Sequence, residues 1–281
     1  MGDVRTFLAT VVLSACASAA FTLVLVHPRQ YPIARATHAL EYRQRSTPLP
    51  EEPRVSPPLR VLFVGNSYTK GNRLPEMVRR LASAGGPELS VRASVIPTAR
   101  LRTHWARKQA VWSIQANHYT HIVLQGHSLS PVQRAEELTD YALRFAKLGQ
   151  ARGSRTVLYA TWPRKPTDEI YRIERGVETP EAMQRQIESV YLNIADRVDG
   201  WIAPVGRAFL KARSDAPEIK LFGPDGEHPS RRGSYLAACV LYSVLTGSSP
   251  VGLDYAPPKV PRAHALTLQQ IAWDAVTPFA R

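Results

Sequence analysis

The chain has 281 residues, 44 % hydrophobic and 21 % charged, a globular composition with enough length to bury a core without disulfides or metal staples. Its net charge of +13 comes from arginines scattered along the sequence rather than from a basic run, so a solvated basic surface is expected and no nucleic-acid partner. Only two cysteines are present, Cys16 and Cys239, and Cys16 lies in an apolar stretch, which argues against an intrachain disulfide and leaves the redox compartment open.

Residues 7–26 read FLATVVLSACASAAFTLVLV, twenty positions without a charge. That length crosses a bilayer as a helix and exceeds a typical signal-peptide core of about 7–15 residues. An uncleaved transmembrane anchor over 1–26 ranks first. A signal cleaved near Ala17-Ser18-Ala19 ranks second. A lipoprotein lipidated at Cys16 ranks third, because apolar residues continue for ten positions past that cysteine. Arg5 precedes the segment while Arg29, Arg35, Arg43 and Arg45 follow it, which by charge counting puts the following part on the cytoplasmic side. The functional expectation is the opposite: a tethered or exported protein facing the periplasm or cell envelope. Residues 27–58 carry seven prolines and little apolar periodicity and read as a linker. The folded domain is expected over 59–281.

Within that domain, apolar runs alternate with helical patterns. Strands are expected over 60–65, 89–96, 121–125, 156–162 and 201–205. Helices are expected over 74–84, 131–150, 180–198, 230–246 and 263–275. The first helix has Pro75 near its start and Gly85-Gly86 at its end. Alternation of this kind predicts an α/β fold with a parallel sheet covered on both faces, and the unbroken apolar strands agree. Ligands of such sheets bind at the carboxyl ends of the strands. Ser67, Gln125 and Trp162 all fall there.

Two segments carry chemistry. Val64-Gly65-Asn66-Ser67-Tyr68-Thr69 puts a serine on a turn directly after the first strand, and Asp225-Gly226-Glu227-His228-Pro229-Ser230 puts a carboxylate three residues before a histidine at a helix mouth. A serine hydroxyl is a weak nucleophile until a histidine takes its proton. A carboxylate fixes that histidine's tautomer and orientation. Gly226 lets the loop turn back so that Asp225 meets His228, while Glu227 is expected to project elsewhere. Pro229 and Ser230 start a helix that holds His228 at its mouth.

RVLFVGNSYT with a later DGEHPS resembles the SGNH (GDSL-like) hydrolases, in particular a branch with Gly-Asn-Ser in the first block. The resemblance spans 59–253. It implies a flavodoxin-like three-layer α/β/α sandwich with a five-stranded parallel sheet, and ester hydrolysis needing no metal and no cofactor. It also implies Ser67 as nucleophile, with its own N–H toward the oxyanion, and Asp225 and His228 as its partners. The second block of the family supplies a glycine N–H. The matching stretch, Val95-Ile96-Pro97-Thr98-Ala99-Arg100-Leu101, has no glycine and leaves the Thr98 N–H as the candidate. The third block supplies an asparagine, and Gln125 stands in that place. Asn66, Thr98, Gln125 and Trp162 therefore form the candidate oxyanion and substrate-binding set. Loss of one oxyanion donor costs about 2.7–4 kcal/mol of transition-state stabilisation. The alternatives are accordingly a weak or inactive homologue that binds a glycan or acyl ligand, and an acyltransferase in which a sugar hydroxyl replaces water. The expected partner is an ester substrate (a small molecule, lipid or acylated glycan), with the membrane engaged through the N-terminal segment.

Three rivals remain in the sequence. Gly126-His127-Ser128-Leu129-Ser130 approaches a nucleophile elbow but lacks its final glycine. His118, His121 and His127 do not have zinc spacing. Gly65–Gly71 is not a phosphate-binding loop, for want of Gly-Lys-Ser/Thr. Trp105 and Trp162 are each as consistent with packing as with substrate contact, and His104 as consistent with capping a helix as with contacting substrate.

Overall fold

The structure, a computed structural model, describes residues 58–277. The expected anchor and linker lie outside the described residues. No helix among the described residues is long and apolar enough to cross a membrane.

The chain begins with β1 (Leu59–Gly65), then α1 (Ser67–Lys70), a short 3₁₀ turn at Gly71–Arg73, and α2 (Leu74–Ser83). β2 (Leu89–Val95) is followed by α3 (Leu101–Arg107) and α4 (Gln109–Ala116), and β3 (His121–Leu124) by α5 (Ser130–Gln133) and α6 (Ala135–Gln150). β4 (Arg155–Ala160) leads through α7 (Ile170–Ile173) to α8 (Pro180–Val198). β5 (Trp201–Pro204) runs straight into α9 (Val205–Asp215), and α10 (Arg231–Thr246) and α11 (Arg262–Val276) complete the domain.

The five strands form one sheet in the order β2-β1-β3-β4-β5, every neighbouring pair parallel. Side chains alternate between its faces, as the strand repeat requires. Val61, Phe63, Val123, Val157 and Tyr159 join the core built with α2, α9, α10 and α11. Leu62, Val64, Ile122, Leu124, Leu158 and Ala160 join the core built with α3, α4, α6 and α8. The expected three layers and five strands are therefore present, each strand within two residues of its expected bounds.

Five helical stretches differ from expectation, two of them the single turns α1 and α7, which were not expected. The helix expected over 131–150 is broken at Arg134, whose φ of −147 and ψ of 44 interrupt it between α5 and α6. α3 and α4 were not expected, and neither has a side-chain cap; Lys108 between them sits at φ 62. α9 was not expected either: it starts from Pro204 with no intervening loop, so the apolar strand pattern ran on into it.

Candidate active site

The sheet order places the reversal of the chain beside β1: β2 lies on one side of it and β3 on the other. A crevice forms at the carboxyl ends where connections diverge in this way. Register aligns Gly65 with Val95, and Val64 with Leu124, so the three following loops meet at Ser67.

Asn66 ties those loops together. Its N–H donates to Gln125 Oε1 (2.9 Å), its Nδ2 donates to the Ala99 carbonyl (3.1 Å), and its Oδ1 accepts from the Tyr68 N–H (3.1 Å) as the cap of α1. Gln125 Oε1 also accepts from the Thr69 hydroxyl (2.9 Å), and Gln125 Nε2 donates to the Gly126 carbonyl. Gly65 is required beneath this turn. A Cβ there would stand 2.3 Å from Thr69 Oγ1 and 2.6 Å from Gln125 Oε1. His104, buried, bonds the Gly65 carbonyl through Nε2 (2.9 Å), and burial holds its pKa below the usual histidine value against that bond.

The opposite wall is the loop before α10. Ser230 caps that helix by accepting from the Gly233 N–H (3.2 Å), and a Cβ on Gly233 would lie 2.2 Å from the Leu221 carbonyl oxygen. Helix and loop can thus approach closely, and His228 is brought back toward β1. His228 Nε2 lies 2.9 Å from Ser67 Oγ, and its Nδ1 lies 2.7 Å from Asp225 Oδ2. Asp225 Oδ1 accepts from the N–H groups of Glu227 and His228, both at 2.9 Å. Desolvation raises the Asp225 pKa, but the Glu227 N–H, the His228 ring and the His228 N–H outweigh it and hold the carboxyl below the usual aspartate value. The carboxylate is thus ionised at neutral pH and the Nδ1 side of the ring is the donor, which leaves Nε2 able to accept the Ser67 proton.

Of the other expected site residues, Thr98 lies on the exposed turn after β2 with its hydroxyl donating to the Pro97 carbonyl (2.7 Å). Its φ of 57 is the left-handed region that favours glycine, the residue the family pattern carries in this block. Asn66 and Gln125 are buried, with their side-chain groups engaged in bracing the Ser67 turn rather than presented to a ligand. Trp162 is not a pocket wall. It is 1 % exposed, stacked between Tyr68 (4.5 Å) and Phe209 (4.2 Å), with its indole N–H donating to the Glu227 carbonyl (3.2 Å). Its breadth is used for packing, which residue type and position alone did not distinguish from substrate contact.

The rival elbow has no imidazole at its serine. Ser128 Oγ accepts from Arg164 (3.0 Å) and faces Glu227 Oε1 (3.5 Å). His118 and His121 lie at the start of β3 and His127 beyond its end, so the three do not gather, and among the described residues no group of metal-ligating side chains does. Trp105 packs edge-on against Phe145 (5.2 Å). Two residues went unnoticed in sequence: Arg164, one arginine among many, and Tyr68, whose hydroxyl accepts from Arg164 (2.7 Å). No local pattern marks either, because their role depends on three loops meeting.

A cavity of about 230 Å³ opens between the turn after β2 and the loop after β3, lined chiefly by Thr98, Arg100, His127, Leu129 and Arg134. A larger one, about 450 Å³, lies by Arg60, Arg155 and Asp199 at the opposite end of the sheet, away from Ser67.

Comparison with models of protein families finds no match, and neither does a search of the curated proteins. Among solved structures, a provisionally assigned SGNH hydrolase from Slackia heliotrinireducens matches at 25 % identity with a TM-score of 0.59, over 67 % of this chain and all of that one (100 %). The chain has the fold of the SGNH hydrolases. A DUF4886 family protein from Bacteroides uniformis matches with a TM-score of 0.67 at 17 % identity, over 79 % of this chain and 96 % of that one. The acetylxylan esterase Axe2 from Geobacillus stearothermophilus matches with a TM-score of 0.51 at 16 % identity, over 68 % and 96 %. Each of these matches extends over nearly the whole length of the neighbour.

Proposed function

We propose that the protein is a serine ester hydrolase of the SGNH type. The observation that carries this reading is the continuous relay Ser67 Oγ–His228 Nε2 (2.9 Å) and His228 Nδ1–Asp225 Oδ2 (2.7 Å), at the carboxyl end of β1. Ser67 attacks the ester carbonyl as His228 takes its proton. The N–H groups of Ser67 and Thr98 are the candidate donors to the oxyanion. Gln125 keeps the Ser67 turn in shape instead of donating to the substrate. His228 returns its proton to the leaving alkoxide, and water releases the acyl group from Ser67 by the reverse sequence. Acetylxylan esterases among the SGNH-fold neighbours support an acyl ester as the substrate class.

A fluorophosphonate probe, which reacts only with an activated serine, tests the proposal. Wild type is expected to label and to hydrolyse p-nitrophenyl acetate. Ser67→Ala should lose both, and Ser128→Ala should keep labelling at Ser67. Folded wild-type protein that neither labels nor hydrolyses any acyl ester in a screen refutes the reading. Loss of labelling only in Ser128→Ala moves the nucleophile to the β3 loop.

A further inference from the structure

The loop that carries Asp225 and His228 is exposed where it acts. Those two side chains are 51 % and 41 % exposed, so little packing presses the imidazole against Ser67. Bonds within the loop, from the Gly223 N–H to the His228 carbonyl (2.7 Å) and from the Gly226 N–H to the Gly223 carbonyl (3.0 Å), set its shape but not its seat.

The seat is Glu227. Its carboxylate turns inward onto Arg164, with Nη1 and Oε1 2.7 Å apart and the arginine side chain only 8 % exposed. The Glu227 carbonyl accepts from the buried Trp162 indole. The same guanidinium donates to the Tyr68 hydroxyl (2.7 Å) and to Ser128 Oγ (3.0 Å). Tyr68 follows Ser67 in the chain and meets the His228 ring edge-on at 5.3 Å. One planar group therefore ties together the segment of the nucleophile, the loop after β3 and the loop of the base. An ammonium, a point charge on a flexible stem, cannot reproduce that three-way fork.

The pair is only partly buried, with the Glu227 side chain 35 % exposed, and it adds little net stability, because desolvation of Arg164 offsets most of the attraction. Its geometry is the more informative property. We infer that Arg164, acting through Glu227 and Tyr68, is a positioning residue that sets the separation of Ser67 and His228. The inference rests on the reading of Ser67 as nucleophile. Misplacement of reacting groups by about 1 Å can cost roughly 100-fold in rate, which sets the scale of the effect.

The test uses the full chain and three variants: Glu227→Gln, Arg164→Met, and Arg164→Met combined with Glu227→Leu. Removing one partner strands a buried charge and lowers stability, whereas the double variant replaces the pair with apolar groups and separates folding from positioning. Two readouts are taken: the concentration dependence of fluorophosphonate labelling, and hydrogen exchange of peptides across the domain. The expected result is a maximal labelling rate roughly 10- to 100-fold lower with half-saturation nearly unchanged, and faster exchange confined to residues 222–230. The double variant should stay slow even where its thermal midpoint equals that of wild type. Wild-type labelling by the double variant, unchanged exchange over 222–230, or a rate loss matched by faster exchange throughout the domain would overturn the inference. If wild type itself does not label, the hydrolase reading fails, and the exchange measurement still decides whether Arg164 seats the loop.

Discussion

Asp225→Asn separates the two functions of the carboxylate. Oδ1 accepts two backbone N–H groups at 2.9 Å, from Glu227 and His228, while Oδ2 faces His228 Nδ1 at 2.7 Å. An asparagine can satisfy the two backbone donors only by turning its oxygen toward them. At about 1 kcal/mol per neutral hydrogen bond, this orientation is favoured by about 2 kcal/mol, roughly 30 to 1. Its NH₂ then faces Nδ1, which must accept, and the ring proton moves to Nε2. In that tautomer His228 donates to Ser67 Oγ instead of taking its proton. The same tautomer error in a serine-protease triad costs about 10⁴-fold. Because Asp225 is half-exposed, part of its charge effect is already screened, so a loss of about 10³- to 10⁴-fold is expected, or ~4–5.5 kcal/mol in the barrier. Asp225→Ala leaves Nδ1 free to keep its proton against water, and should be faster than Asp225→Asn although it loses the loop caps. The assay is the second-order rate of fluorophosphonate labelling at pH 8, with circular dichroism as a check on folding. Labelling of Asp225→Asn within tenfold of wild type, or of Asp225→Ala more than tenfold slower than Asp225→Asn, would refute the tautomer argument.

Thr98→Gly should relieve a left-handed residue (φ 57) on an exposed turn; strain of about 1–2 kcal/mol less glycine's entropy cost of roughly 0.5–1 kcal/mol predicts a small rise in the urea midpoint with labelling retained, and a fall in stability would refute it. Burial, then the Arg155 charge, lower the His121 pKa from 6.5 to about 4. The unfolded chain then binds more protons between those values, so stability is full above pH 6.5 and is lost as the pH falls toward 4. By linkage His121 alone removes about 2 kcal/mol between pH 7.5 and pH 5. His121→Leu should shrink that difference in urea unfolding, and an unchanged pH dependence would sink the argument. The cavity beside Thr98 is small, about 230 Å³, and flanked by Arg100, His127 and Arg134. Short acyl esters should therefore exceed long ones in kcat/KM across a p-nitrophenyl acetate-to-decanoate series, and the reverse order would place the acyl group elsewhere.

The sequence by itself determined the architecture and picked out the three candidate catalytic residues. Unbroken apolar runs such as VLFVG and HIVL belong to strands covered on both sides, and their alternation with helical segments leaves few topologies. Ser67, Asp225 and His228 stood out because turn chemistry is local: a serine directly after a strand, and Asp-Gly-Glu-His ahead of a capped helix. Helices α3, α4 and α9 were not expected; α9 follows β5 directly, so no turn residue separates the strand pattern from the helix. What Asn66, Gln125, Trp162 and Arg164 touch was decided only by tertiary structure. An amide reads alike in sequence whether it faces a substrate or braces a turn, and a tryptophan alike whether it lines a pocket or fills a core. The difference lies in which groups from distant parts of the chain arrive within hydrogen-bond distance, and that is set when the sheet order β2-β1-β3 brings three loops together.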